Sequence, residues 1–244
     1  MSQIKCVIFD FGDTLAQNSK AGFQVRKNPA EIAILKKHGF EFSKKEILEA
    51  WIRMREKTKD IPAAIRMKDK YIYAKTLLVE LGLKPNLKLA KECEKSYYNA
   101  LEEKIKPMPN ALKLLKYLTK KKIIICVVSN TRIGFNRKAA IKLGMKKYIK
   151  HFIMSHLFGS VKSDLKIFRH ALEKVNKKRK NRIKPKECLM IGNNVEEDGA
   201  AKMIGMKTAI LKPTIMQEHL LKKIKPDYLI KDLKEVEKIV KEVD

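Results

Sequence analysis

Short, mostly apolar runs alternate with longer amphipathic segments along most of the chain. The runs lie at residues 6–9, 123–128, 152–154, 188–191, 207–211 and 228–230. Apolar runs of this length, without polar alternation, are typical of strands buried on both faces of a parallel sheet. Helical patterns separate the later runs. The pattern therefore predicts an α/β fold with a doubly wound, mostly parallel sheet.

Four helical segments follow one another between the first and second apolar runs, with no strand pattern among them. They are predicted from Asn28 to Gly39, from Ser43 to about Lys57, from Pro62 to near Gly82 and from about Asn86 to Glu103. Ser43 and Glu46 have the spacing of a capping box, whereas residues 16–27 resemble a turn. Short connections between helices favour a small bundle. We therefore predict a helical domain at 17–105, inserted into a core made of 1–16 and 106–244.

Polar side chains occur where several of the predicted strands end. Asp10 follows the first strand, and Ser129 follows the second. Lys162 lies in a loop before the fourth strand, which is itself followed by Asn193 and Asp198. The carboxyl ends of parallel strands meet at one edge of a sheet, where open α/β sheets bind their ligands. At that edge, Asp10 is suited to nucleophilic attack. Ser129 and Lys162 are suited to holding phosphoryl oxygens, and Asn193 and Asp198 are suited to binding Mg²⁺.

The chain carries a formal net charge of +28, from 55 Lys and Arg against 27 Asp and Glu. Such a charge attracts polyanions and phosphorylated substrates. However, the lysines are spread over nearly every predicted helix, aromatic residues are sparse, and no nucleic-acid motif is found. The charge alone therefore does not predict nucleic-acid binding, but it leaves a polyanionic partner open.

The cysteines and the apolar segments bear on location. The four cysteines, at positions 6, 93, 126 and 188, form no CxxC pair, which favours a reducing, cytoplasmic location. No apolar stretch reaches the length of a membrane span, and the N-terminal residues lack a signal-peptide pattern. We therefore expect no membrane partner. The sequence does not determine the oligomeric state.

Four motifs, in order, resemble those of the haloacid dehalogenase (HAD) superfamily, most of whose members are Mg²⁺-dependent phosphatases. The stretches are FDFGDTL at 9–15, VVSNT at 127–131, GSVKSDLKIF at 159–168 and IGNNVEEDGAAKMIGM at 191–206. The resemblance covers essentially the whole chain. The inserted helices resemble the family's C1-type cap, which implies a domain that closes over the site and selects the substrate.

The resemblance also implies roles for individual residues. Asp10 would be the nucleophile, with Ser129 and Lys162 as its catalytic partners. Asn130 and Thr131, in the second motif, are candidate substrate contacts. The implied metal ligands are Asp10, the backbone carbonyl of Gly12, Asn193 and Asp198, and the implied cofactor is Mg²⁺.

Two positions depart from the family pattern. Gly12 lies where the phosphatases usually have a second Asp, the general acid/base for the leaving group. Asp13, one residue later, is expected to point elsewhere. Losing a general acid/base typically costs about 10²- to 10⁴-fold in rate, and least for good leaving groups. Asn193 replaces an Asp of the fourth motif and brings less negative charge to the implied metal site.

The leading hypothesis is Mg²⁺-dependent hydrolysis of a small phosphate monoester through an aspartyl-phosphate on Asp10. One alternative is a catalytically weakened HAD-like protein that binds a phosphorylated ligand or a polyanion, which Gly12 and Asn193 would explain. Another is a metal-independent hydrolase of the dehalogenase type, against which Asp198 and its neighbouring acids argue. The sequence does not name the substrate.

Overall fold

The computed structural model describes residues 3–59, 61–62, 65, 68–69, 71–131, 134–213 and 217–242. The chain divides into two compact units. The helical unit comprises 18–106, and the sheet unit comprises 1–17 with 107–244. Each end of the helical unit differs by one residue from the 17 and 105 that we predicted.

The sheet unit is built on one six-stranded sheet. Its strands are β1 (Cys6–Phe9), β2 (Ile124–Ser129), β3 (His151–Met154), β4 (Cys188–Gly192), β5 (Lys207–Leu211) and β6 (Tyr228–Ile230). The spatial order is β3-β2-β1-β4-β5-β6, and every neighbouring pair is parallel. The predicted α/β class with a parallel sheet is confirmed. Because β1 lies between β2 and β4, the ends of these three strands are adjacent.

The helical unit contains, among its described residues, the helices α1 (Asn18–Lys27), α2 (Glu31–Lys37), α3 (Lys44–Thr58), α4 (Ile72–Glu80) and α5 (Leu87–Lys104). At the start of α3, Ser43 Oγ accepts a hydrogen bond from Glu46 N at 3.2 Å, and Glu46 Oε2 accepts one from Ser43 N at 2.7 Å. This is the predicted capping box. Ile47, Trp51 and Met54 of α3 are buried in the core of the unit, as expected from their helical spacing.

The first helix of this unit differs from the prediction of a turn. α1 buries Ala21, Gly22 and Val25, and a Cβ added at Gly22 would lie 3.2 Å from the Tyr97 hydroxyl. Glycine lowers the intrinsic helix propensity, but here it permits close packing, and packing decides the structure. The predicted third helix, 62–82, falls partly outside the described residues.

Seven further helices belong to the described part of the sheet unit. They are α6 (Ala111–Lys120), α7 (Phe135–Lys142), α8 (Ser155–Phe158), α9 (Lys166–Asn176), α10 (Val195–Gly199), α11 (Glu218–Ile224) and α12 (Val236–Glu242). One face of the sheet packs on Ile167 and Phe168 of α9, through a core that includes Cys6, Cys126 and Cys188. These cysteines are free and buried within strands. No helix among the described residues is long and apolar enough to cross a membrane.

Candidate active site

The sheet brings the ends of β2, β1 and β4 side by side, and each end is followed by or carries a candidate residue. Asp10 directly follows β1, and its backbone N–H donates to the carbonyl of Ile191 in β4 at 2.8 Å. Ser129 is the last residue of β2, and Gly192 is the last of β4. Asp10 and Ser129 therefore lie at the same edge of the sheet as the start of the fourth motif.

Lys162 joins Asp10 to Asp198. Its Nζ lies 2.6 Å from Asp10 Oδ1 and 2.6 Å from Asp198 Oδ1. Lys162 and Asp198 are 1% and 0% exposed, whereas Asp10 is 8% exposed. Charge-assisted hydrogen bonds in such an interior are strong, because water does not compete for the charged groups. Asp10 is therefore the member of this buried trio that is most open to a ligand.

Burial and the charges within this trio together determine the pKa values of Asp10 and Lys162. Burial raises the pKa of Asp10 to about 6, although the Lys162 ammonium opposes the rise. Burial alone would lower the pKa of Lys162, but Asp10 and Asp198 together raise it above its ordinary value. Lys162 therefore remains a cation, and Asp10 is ionised above about pH 6.

The position of Asp198 depends on the glycine that ends β4. A Cβ added at Gly192 would overlap the carboxylate of Asp198, so glycine lets this side chain lie against the end of the strand. Asp198 Oδ2 also accepts a hydrogen bond from Asn194 N at 2.9 Å. Asn194 in turn caps α10, since its Oδ1 accepts from Glu197 N at 2.9 Å. The fourth motif thus holds one carboxylate in a fixed place.

Ser129 has a partner that sequence reasoning missed. Asn136, 4% exposed on α7, donates from Nδ2 to Ser129 Oγ at 2.9 Å. Because the Ser129 oxygen accepts this bond, its own O–H remains able to donate to a ligand. The available signal was a polar residue among Phe135, Ala139 and Ala140 on the buried face of a helix.

The other two residues of the second motif are held by neighbouring loops. Asn130 Oδ1 accepts a hydrogen bond from Lys162 N at 3.1 Å, which ties the second motif to the third. Asn130 Nδ2 is buried and has no hydrogen-bond partner among the described residues. The Thr131 backbone N–H donates to Ser155 Oγ at 2.9 Å, and Ser155 Oγ donates to the Thr131 carbonyl at 3.1 Å. Asn130 therefore offers a donor, whereas the Thr131 amide is already used.

The first motif turns sharply after Asp10. Asp13 adopts a left-handed φ of 55°, a conformation that Asp tolerates better than most residues. Its backbone N–H donates to the carbonyl of Ala16 at 2.6 Å. Asp13 thus occupies the left-handed position of the turn, and Gly12 provides no side-chain acid at position 12.

Asn193 is held by the first motif. Its Oδ1 accepts a hydrogen bond from the hydroxyl of buried Thr14 at 3.3 Å. One lone pair of this oxygen is therefore directed toward Thr14. Of the two fourth-motif residues proposed from the sequence as metal ligands, Asp198 is the one in contact with Lys162.

The oxygen atoms around Asp10 suit a hard divalent cation. Asp10 and Asp198 provide carboxylates that both contact Lys162 Nζ, and carboxylate oxygens are ligands that Mg²⁺ prefers. Two carboxylates against one ammonium leave the buried trio with an excess negative charge, which a further cation would balance. In the part of the chain that the structure describes, no three His, Cys, Asp or Glu residues form a metal cluster. An ion here would therefore also need backbone or water ligands, which Mg²⁺ commonly keeps.

Comparisons with known proteins identify the family of this chain. A family model of haloacid dehalogenase-like hydrolases matches residues 4–205. A glyceraldehyde 3-phosphate phosphatase from Pyrococcus furiosus is 28% identical over 217 residues, covering 87% of this chain and 82% of that protein.

Two solved structures illustrate how widely this fold is used. The HAD-hydrolase YfnB from Bacillus subtilis, bound to magnesium, has a TM-score of 0.74 at 18% identity and covers 98% of this chain and 100% of its own. A 2-haloacid dehalogenase from Pseudomonas syringae pv. Tomato DC3000 has a TM-score of 0.69 at 18% identity, covering 99% and 100%. At such identities these structures support the fold alone. The family match, which includes the first three motifs and all but the last residue of the fourth, confirms the predicted hydrolase: the chain belongs to the haloacid dehalogenase-like hydrolase family.

Proposed function

We propose that this protein hydrolyses a small phosphate monoester, with Asp10 as the nucleophile. The contact of Lys162 Nζ with both Asp10 and Asp198 carries the proposal, because it couples a slightly exposed carboxylate to a buried ammonium. Phosphoryl transfer depends mainly on positioning and on stabilising charge over the equatorial oxygens. The phosphatase relative from Pyrococcus furiosus supports the same class of reaction.

In the first step, an oxygen of Asp10 forms a bond to phosphorus while the bond from phosphorus to the ester oxygen breaks. The electron pair leaves with that oxygen, which then takes up a proton. In the second step, water attacks phosphorus while the bond from phosphorus to the Asp10 oxygen breaks. One water proton passes to solvent, the other stays on the orthophosphate that leaves, and the Asp10 carboxylate is restored. Each step is an in-line displacement at phosphorus.

The neighbouring residues act on the phosphoryl oxygens. Lys162 keeps its proton and balances their charge, and the Ser129 hydroxyl donates because Asn136 has occupied its acceptor side. We assign a third donor to Asn130 Nδ2, which is buried without a partner among the described residues. Preorganised donors of this kind are each worth about 10²–10³-fold in rate.

We infer that Asp10, Asp198 and the Gly12 carbonyl hold Mg²⁺, with Asn193 as an outer partner. When bound, Mg²⁺ supplies Lewis-acid polarisation of a phosphoryl oxygen. The excess negative charge of the buried trio supports this inference, and so does the choice of oxygen donors. The protein's own contribution is to fix the two carboxylates on either side of the Lys162 ammonium.

Gly12 has a consequence for substrate choice. Since it provides no acid, we propose that the leaving oxygen takes its proton from water. The rate should then depend steeply on the acidity of the leaving group. We assign further selection to the helical unit, 18–106, because it is inserted directly after the first motif. A small phosphorylated metabolite is the proposed substrate, and the name of the relative makes a triose phosphate the first alkyl ester to assay.

The four cysteines bear on where this chemistry takes place. All of them are free and buried, which supports the inference that the protein works in a reducing, cytoplasmic compartment.

The test is release of phosphate from an activated aryl phosphate, with Mg²⁺ and with chelator. Asp10→Asn should abolish Mg²⁺-dependent turnover, whereas Asp232→Asn, the same change at a helix cap after β6, should leave it intact. If wild type and Asp10→Asn were equally inactive, the phosphatase proposal would fail. Halide release from a haloacid by wild type in chelator would point instead to the dehalogenase type.

A further inference from the structure

A basic cavity of about 520 Å³ lies in the sheet unit along β3. We define it by its six basic or imidazole side chains: Arg137, Lys146, Lys150, His151, His170 and Lys174. Aromatic rings of Phe152 and Phe158 also line it, and no acidic residue does. Its volume falls within the range of small-molecule sites, about 300–1,000 Å³.

The basic cavity is separate from the candidate active site. β3 is an edge strand, next to β2, and the register pairs Met154 of β3 with Ser129 of β2. Met154 lines the cavity, but none of the proposed catalytic, substrate-binding or metal-binding residues does. The cavity therefore lies one strand outward from the site and has no part in the proposed reaction.

Among the described residues, Glu173 is the acidic partner of one cavity residue, since its Oε2 lies 3.7 Å from His170 Nδ1, and the four Lys and Arg side chains have none. Among the described residues, no ion pair involves Arg137, Lys146, Lys150 or Lys174. Other lysines do form such pairs, for example Lys5 with Glu187 at 2.6 Å. Like charges that converge on one concavity repel each other and create a field that attracts an anion. An anionic ligand would relieve this repulsion.

Flat rings lie among these cations. Phe158 stacks on His170 with ring centroids 4.4 Å apart and an interplanar angle of 22°. Lys146 Nζ lies 5.7 Å from the centroid of Phe152. Buried His151 Nε2 has no hydrogen-bond partner among the described residues. Rings for stacking, cations for phosphate and a spare imidazole nitrogen are the groups that recognise a nucleotide.

We propose that the basic cavity binds a nucleotide, with its base against the aromatic rings and its phosphates on the lysines. The nucleotide can be free, as a nucleoside triphosphate, or a residue of single-stranded RNA. Both present the same planar base and phosphate, so the experiment has an arm for each. The proposal extends beyond phosphatase activity and does not depend on it.

The test is fluorescence anisotropy of labelled ATP and of a labelled RNA decamer, with chelator present to prevent turnover. Lys150→Ala/Lys174→Ala should weaken binding about tenfold or more, since charge-assisted phosphate contacts are lost. The matched control, Lys121→Ala/Arg179→Ala, removes two cations from another basic concavity that has no aromatic lining, and should change binding less than about twofold. Thermal midpoints would verify that both variants fold.

Two further variants test whether the base stacks on Phe152 and whether nucleotide binding involves the candidate active site. Phe152→Leu should weaken ATP binding roughly fivefold through lost stacking, without altering competition by tripolyphosphate. Asp10→Asn should leave nucleotide binding unchanged, so failure here and failure of the phosphatase proposal are distinguishable. Much tighter binding of RNA than of ATP, with a salt slope near 0.7 per phosphate contacted, would identify RNA as the source. Comparable affinities for ATP and for the RNA decamer would identify a free nucleotide as the ligand of the basic cavity.

Three results would overturn the proposal. Equal losses in the test and control pairs would mean that only the general positive charge attracts these ligands. Tripolyphosphate that competes as well as ATP, together with an unaffected Phe152→Leu variant, would reject recognition of the base. Absence of binding by both labelled ligands would reject the site.

Discussion

Among the described residues, each unit of the molecule buries two acidic side chains, and the two pairs differ in whether a lysine contacts them. In the sheet unit, Asp10 and Asp198 both contact the ammonium of Lys162. In the helical unit, Glu31 on α2 and Glu94 on α5 are 1% and 6% exposed. No Lys or Arg among the described residues forms an ion pair with Glu31.

The protonation of the two pairs follows from this difference. Burial raises the pKa of Glu31 to about 7, and the neighbouring Glu94 adds to the rise. Burial raises the pKa of Asp10 to about 6, and Lys162 limits that rise. A buried cation thus keeps a carboxylate ionised for chemistry, whereas a buried carboxyl without one gives up its charge more readily. Removal of charge should therefore change the free energy of unfolding in opposite directions. Loss of the Lys162 cation should destabilise the protein, whereas loss of the Glu31 carboxylate should stabilise it.

Removal of the cation should have the largest effect. Lys162→Met leaves two adjacent buried carboxylates without compensation, so the free energy of unfolding in chelator should fall by about 3–5 kcal/mol. Phosphatase activity should fall at least about 10²–10³-fold. Urea denaturation and phosphate release measure the two effects.

A second substitution tests the cause of that loss. Lys162→Met/Asp198→Asn removes one of the stranded charges, so it should recover much of the stability but none of the activity. If the double variant were less stable than Lys162→Met, the loss would come from packing of the lysine stem rather than from charge.

Displacement of one carboxylate should have the next largest effect. Gly192→Ala places a Cβ on the carboxylate of Asp198, which must then leave the Lys162 ammonium. We expect activity to fall about 10²-fold and the unfolding free energy to fall by about 1–3 kcal/mol. Gly134→Ala is the matched control, because an added Cβ there meets nothing within 4 Å. Equal activity of the two variants would show that the position of Asp198 does not matter.

The sheet unit shows what the sequence was able to predict. The apolar runs placed all six strands within a residue or two, because strands buried on both faces leave an unbroken apolar signal. The same pattern predicted that Asp10 and Ser129 would lie at one edge. It did not reveal that Lys162 Nζ would also contact Asp198, since the loop that carries Lys162 has no periodicity. Asn136 was missed for a similar reason: a tertiary contact, not spacing, gives it a role.

The helical unit shows where local signals are misleading. Asn28 before Pro29 predicts a helix start, but α2 begins at Glu31, and Asn28 Oδ1 accepts from Lys44 Nζ at 2.9 Å instead. Ser43 and Glu46 do form their capping box. The two capping signals look alike in the sequence, and only tertiary partners separate them. Nothing in the sequence pattern indicates that Glu31 is buried beside Glu94.

The last prediction concerns Glu31, where removal of a carboxylate should raise the unfolding free energy at high pH and leave the active site untouched. The folded protein keeps the Glu31 proton up to about pH 7, whereas the unfolded chain loses it near 4.5. Between these values the folded state binds more protons, so the unfolding free energy should decrease as the pH rises, by up to about 3 kcal/mol. Glu31→Gln keeps the size of the side chain and removes this titration. In urea denaturation, the Glu31→Gln variant should be more stable than wild type at pH 8 and about as stable at pH 4.5. The control is Glu46→Gln, at an exposed helix cap, which should not gain stability at pH 8. A Glu31→Gln variant that lost stability at pH 8 would show that the carboxylate has a cationic partner after all, and the contrast with Asp10 would disappear.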